Sequence, residues 1–84
     1  MVGKIVYSNK GRDKGYFMVV VDCKDNVVLV CDGKERPLER PKSKNKKHLQ
    51  FTNTVLSEKS YNTNKSLRKA LAVYRDTAKF KEEP

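Results

Sequence analysis

The chain has 84 residues, 37% hydrophobic and 35% charged, with a net charge of +9. That length suits one domain with a thin core, and no apolar stretch is long enough to cross a bilayer as a helix. No signal-peptide pattern opens the sequence, so a cytoplasmic protein with no membrane partner is expected, and the sequon at Asn64-Lys65-Ser66 carries no weight.

The charge is unevenly placed. Residues 1–33 carry a net +1, residues 34–48 a net +5 and residues 49–84 a net +3. Over half the excess therefore lies in the middle of the chain, which favours a polyanionic partner, nucleic acid before an anionic membrane.

In chain order, Val2 to Ser8 alternates enough to predict a strand. Asn9 to Gly15, "NKGRDKG", is a turn-rich basic loop. Tyr16 to Cys23, "YFMVVVDC", is β-branched and aromatic and predicts a strand buried on much of both faces. Lys24 to Asn26 predicts a tight turn, because Asp and Asn tolerate left-handed backbone angles. Val27 to Asp32 is the returning strand, and Gly33-Lys34 turns the chain again. Glu35 to Glu39 predicts a short, weak strand, placed at an edge or bulge because Pro37 cannot donate to a ladder.

The run Arg40 to Gln50, "RPKSKNKKHLQ", follows. It lies between two predicted strands, so it is expected to be a loop with fixed ends rather than a free tail. Lys47 to Thr52 predicts a fifth strand. Five short strands joined by short turns point to a small, closed or nearly closed β-barrel, with Ile5, Val19, Val21, Val28, Val30 and Leu49 in one core.

The C-terminal third changes period. Leu67, Leu71, Tyr74 and Ala78 recur at three- and four-residue steps, predicting a helix over 64–81 with one apolar face. Asn64 is the expected N-cap, and Lys79 and Lys81 suit the negative end of the helix dipole. Glu82-Glu83-Pro84 ends the pattern. Residues 1–52 thus form the barrel, 53–63 a connection and 64–81 a helix, within one domain. The helix either packs on the barrel or docks a partner.

Catalytic chemistry finds no support. His48 is the sole histidine and has no partner at useful spacing. Cys23 and Cys31 form no zinc pattern, and a disulfide between them would join neighbouring strands at offset positions. Both are expected to be reduced, buried thiols. The glycines lack a phosphate-loop context. Neither an enzyme, a metal site nor a cofactor is expected.

The series "VGKIVYSNKGRDKG", "VVVD", "VLVCDG" and "KHLQFT", followed by the basic helix, resembles the KOW-containing large-subunit ribosomal proteins of archaea and eukaryotes, the L-fourteen-e type. It is more similar still to the stand-alone bacterial KOW-domain RNA-binding proteins related to them. The resemblance spans roughly residues 2–78, with Gly15 matching the glycine of the KOW motif. It implies a mostly β fold, an SH3-like barrel with a C-terminal helix, and a non-catalytic role in binding RNA, above all large-subunit ribosomal RNA. Neighbouring ribosomal proteins are further expected partners, and the free protein is expected to be a monomer. It also implies that Lys10, Gly11, Arg12, Lys14 and Gly15 form the contact loop. The longer C-terminal extension of the eukaryotic relatives has no counterpart in these residues, so its contacts are not carried over.

The local charge adds Lys34, Arg36, Arg40, Lys42, Lys44, Lys46 and Lys47 as expected RNA contacts. Arginines can fork two donors onto one phosphate, and lysines act as mobile point charges. Tyr7 and Tyr16 flank the loop, as base-stacking groups or as half-buried strand residues. Arg68, Lys69 and Arg75 read first as a solvated helix face and second as RNA contacts. The competing functions are a factor for messenger or small RNAs, and a protein-interaction module using the loops or the helix.

Overall fold

The computed structural model describes residues 1–11 and 15–78. Five strands form one antiparallel sheet: β1 (Lys4–Ser8), β2 (Phe17–Lys24), β3 (Val27–Cys31), β4 (Lys42–Asn45) and β5 (Leu49–Val55). Their order across the sheet is β4-β3-β2-β1-β5. One helix, α1 (Asn64–Ala78), follows. The fold is thus mostly β with a C-terminal helix.

The first three strands form where β-branched residues are densest. Lys24 pairs with Val27, leaving Asp25 and Asn26 as the turn, and Asp25 takes φ +47°. Short polar side chains reach that left-handed region at low cost. Two register shifts bend the sheet, one between Lys4 and Val6 against β5 and one between Val20 and Asp22 against β3. Bulges of this kind sharpen strand twist. At the first, the Thr52 hydroxyl donates to the Ile5 carbonyl at 2.7 Å, replacing a ladder bond.

The two edge strands come close at one end. Only the 3-10 turn Lys46–His48 separates β4 from β5. Lys46 N donates to Asn26 O at the hairpin tip, and Asn9 N donates to His48 O beyond β1, both at 2.9 Å. The turn is therefore pinned at both ends, and the sheet curls around its own face.

Apolar side chains pack on both sides of this sheet. Val6, Met18, Val20, Val28, Val30 and Leu49 fill the concave side. Ile5, Val19 and Cys31 face the other way and pack against Leu67 and Leu71 of α1. The single core expected from the sequence is thus two, because alternation along a strand sends neighbouring residues to opposite faces. The helix packs on the sheet, with Tyr74 beside Phe17 at 5.3 Å between ring centroids.

Several expected boundaries move. Val2 and Tyr16 lie outside the strands, and β5 begins at Leu49 and runs on to Val55. Glu35–Glu39 is not a strand; Asp32 Oδ1 accepts from the amides of Lys34 (2.9 Å) and Arg36 (2.8 Å), folding that segment into a turn. The fourth strand comes instead from the basic run. The N-cap is Thr63, whose hydroxyl oxygen accepts from Ser66 N at 3.0 Å. Asn64 is otherwise engaged: its Oδ1 accepts from Leu38 N at 2.8 Å and its Nδ2 donates to Glu39 Oε1 at 2.9 Å. That bond holds the Glu39 carboxyl below its ordinary range. Lys79 and Lys81 lie outside the described residues.

The helix start crosses tightly over the end of β3. Gly33 has φ +82°, and a Cβ there would stand 2.6 Å from Asn64 O. Only glycine meets both conditions. Both cysteines are free. Burial pushes the Cys31 thiol up to about 11, with smaller contributions from Asp32 and Glu39, so it stays protonated at neutral pH.

Two outcomes are expected. Leu67→Ala should lower stability by about 2–5 kcal/mol, read as a fall in the urea midpoint; an unchanged midpoint would mean that α1 does not cover the sheet. The raised Cys31 value favours the folded state while the thiol is protonated, and that contribution is lost as pH climbs from 9.0 toward about 11. Cys31→Ala should therefore show a shallower loss of stability across that window than the parent chain.

Candidate nucleic-acid interface

The basic run is neither tail nor loop. Its centre is β4, whose Lys42 and Lys44 stand opposite Val30 and Val28 of β3. These lysines are on the concave side, where their aliphatic stems can cover apolar surface. Charged side chains also suit an edge strand, because they discourage pairing with another chain. Asn45 then opens the 3-10 turn, with its Oδ1 accepting from Lys47 N at 2.9 Å.

Lys44 is the unexpected member. It is only 7% exposed, and its Nζ donates to the carbonyl of Lys10 at 2.8 Å. The buried Ser8 hydroxyl donates to the same carbonyl at 3.1 Å. Lys44 therefore ties the Lys10 end of the β1–β2 connection to the edge strand β4. It adds charge to the surface, but its ammonium is committed inward and is not an outward phosphate contact.

The loop itself is clamped at its base. Gly15 N donates to Ser8 O at 2.9 Å, and Ser8 N donates to Tyr16 O at 3.0 Å. Gly15 has φ +91° while a Cβ there would meet nothing closer than 3.8 Å, so conformation rather than space calls for glycine. Lys10 and Gly11 are exposed. Arg12 and Lys14 lie outside the described residues.

The structure thus brings Lys10, Gly11, Lys44 and the Lys46–His48 turn together. Lys47 is exposed there, and Lys42 and Lys46 are half-buried. Arg40 is exposed at the far end of the β3–β4 connection, and Arg36 is half-buried within it. Lys34 is turned to another neighbourhood, a groove of about 310 Å³ that it shares with Gly15, Tyr16, Arg68 and Arg75.

Arg68 and Arg75 are exposed, as the solvated-face reading expects, and both also line this groove. Their seven-residue spacing puts them on one side of α1, beside the Leu67/Leu71 stripe; that was the available signal. The two tyrosines part company. Tyr7 packs its ring on Phe17 at 5.1 Å, whereas Tyr16 is 52% exposed. Of the two, Tyr16 offers an open ring.

Among the described residues, no group of three or more His, Cys, Asp or Glu side chains is placed to hold a metal ion. No described helix is long and apolar enough to cross a membrane.

Lys44→Met keeps the stem and removes the ammonium. A hydrogen bond from a charged donor contributes about 1.5–3 kcal/mol, so the Asn9 and Gly15 amides should exchange with solvent at least about tenfold faster, with the sheet amides of β2 and β3 unchanged. Equal protection in both proteins would show that Lys44 does not hold the loop. No protein-family model matches the chain, and no curated protein matches it in sequence.

Proposed function

We propose that this chain is a non-catalytic RNA-binding protein of the KOW type, whose curled sheet is an SH3-like barrel. Its basic loop and edge strand grip large-subunit ribosomal RNA or a ribosomal surface in the cytoplasm. The observation that carries this reading is the bond from Lys44 to the Lys10 carbonyl, which joins the glycine-bearing loop to the most basic segment of the chain. Lys10 is thereby brought beside β4 and the Lys46–His48 turn.

The barrel reading is supported by the strand order and by the short 3-10 turn linking the two edges. The RNA reading is supported by the charge of residues 34–48 and by the resemblance to KOW proteins. Phosphate contacts supply most of the affinity of such a surface and weaken with salt as counterions are released. Gly11 and Gly15 let the backbone approach the RNA closely. Double-stranded RNA presents shape more than sequence, which suits recognition of a folded ribosomal element.

The apolar face of α1 is occupied by the sheet. That removes the main ground for treating Leu67, Leu71 and Tyr74 as a partner-docking stripe. A factor for messenger or small RNAs uses the same surface and differs in the RNA bound.

Crosslinking in growing cells followed by sequencing of the bound RNA should give a sharp footprint on large-subunit ribosomal RNA. Reads spread over messenger and small RNAs would replace the ribosomal assignment, and recovery of almost no RNA would overturn RNA binding. In vitro, the slope of log K against log[salt] should be roughly −3.5 to −5. Replacing Lys10, Arg12 and Lys14 together with Ala should reduce it by about 2–3 with circular dichroism unchanged.

A further inference from the structure

A second chemistry lies next to the basic loop. The groove of about 310 Å³ runs between the start of β2, the Asp32–Glu35 turn and the outer side of α1. Tyr16 stands at its rim with an exposed ring, and the buried Leu71 gives it an apolar wall. Lys34, Arg68 and Arg75 supply three cations, against the carboxylates of Asp32 and Glu35. Asp32 Oδ1 is already satisfied by two backbone amides, which spends part of its charge within the turn.

Arg68 is preorganised. Its Nη1 donates to Gly33 O at 2.8 Å, at the place where the helix crosses β3. That bond ties the guanidinium to the edge of the groove that Arg68 lines. An exposed aromatic ring, an apolar wall and clustered cations match the needs of an unpaired nucleotide: a π-face for the base and forked donors for its phosphate. The size agrees, since the volume is at the low end of the range for small ligands. It suits one nucleotide and is too small for a duplex. Gly15 is bonded at the base of the basic loop and also lines the groove, so the two adjoin.

We propose that this groove takes one unpaired nucleotide of the bound RNA, its base stacked on Tyr16 and its phosphate held by Arg68, Arg75 and Lys34. This rests on the RNA-binding reading above and adds single-strand recognition to it. The basic loop and β4 grip the backbone of paired or unpaired RNA alike, whereas the groove accepts only a base free of its partner.

The test compares a short single-stranded oligoribonucleotide with an RNA hairpin lacking unpaired overhangs, titrated against the full chain, Tyr16→Ala, Tyr16→Phe and Arg75→Gln. Tyr16 is exposed and outside the strands, so its removal should leave circular dichroism unchanged. Tyr16→Ala should weaken binding of the single strand about 5- to 150-fold, the range for losing one base stack, with little effect on the hairpin. Tyr16→Phe should retain most of the affinity, and Arg75→Gln should weaken the single strand in part. In the parent chain, the single strand should shift the amide resonances of Tyr16, Lys34 and Arg68. If Tyr16→Ala binds both RNAs as the parent does, the groove assignment falls and the RNA-binding reading stands. If the parent binds neither RNA, both fall. If an acidic peptide shifts the groove resonances and RNA does not, the groove is a protein site and the proposal is overturned.

Discussion

Strand β2 is fully buried on both faces over Met18, Val19 and Val20. A strand with apolar residues on both sides needs cover on both sides, and a short chain has few elements to give. This molecule solves the problem with two covers. The sheet curls so that its own edges shelter Met18 and Val20, and α1 lies across Val19. Each remaining feature follows from one cover or the other. Curling needs the bulges and the pinned turn at Lys46–His48. The helix needs Gly33 beneath it, since a side chain there would meet the Asn64 carbonyl.

The two covers also distribute the charge. Where the sheet curls, the edge strand meets solvent on its outer side and apolar residues on its inner side. Lysine answers both demands, because its stem packs while its ammonium reaches a polar partner. Lys44 does this with the Lys10 carbonyl as partner. An alanine would lose the tie and the stem. A leucine would keep the packing and leave the carbonyl with only Ser8. Where the helix covers the sheet, Arg68 plays a similar part, with its guanidinium on Gly33 O. The basic character is therefore built into the joints of the fold as well as spread over its surface.

What was legible in the sequence was whatever hydrophobic periodicity encodes. Val19, Val28 and Val30 announce β2 and β3, Asp25 announces the turn between them, and the Leu67–Leu71–Tyr74 spacing announces α1. What was not legible depends on tertiary pairing. Lys42–Asn45 has neither β-branched residues nor apolar alternation, and it is a strand because β3 offers it a free edge. Glu35–Glu39 has the weak look of a strand, yet its Arg36 amide goes to Asp32 and its Leu38 amide to Asn64. Asn64 is a good cap by type, but the Leu38 amide competes for its oxygen, and Thr63 one residue earlier takes the role. For the candidate interface, the sequence marked the charges but not their directions. It did not separate Lys44, turned inward, from Lys47, turned outward, nor place Arg68 and Arg75 beside Tyr16.

The position of Gly15 gives the proposed interface its logic. On one side of it, Lys10 and the Lys46–His48 turn would offer charges whose grip on phosphate is indifferent to base identity and sensitive to salt. On the other, the proposed groove would offer a ring, whose stacking depends on an unstacked base, beside cations that share the salt dependence of any phosphate contact. A surface with only the first would bind any RNA backbone. One with only the second would bind too weakly to find its site. In the proposed reading, long-range attraction would bring the strand to the loop, and a short-range fit at Tyr16 would then discriminate between paired and unpaired RNA. Because Gly15 is clamped to Ser8 and Arg68 to Gly33, both halves are held by backbone carbonyls at their bases. In the proposed reading, these ties at the two bases would lower the ordering cost of binding.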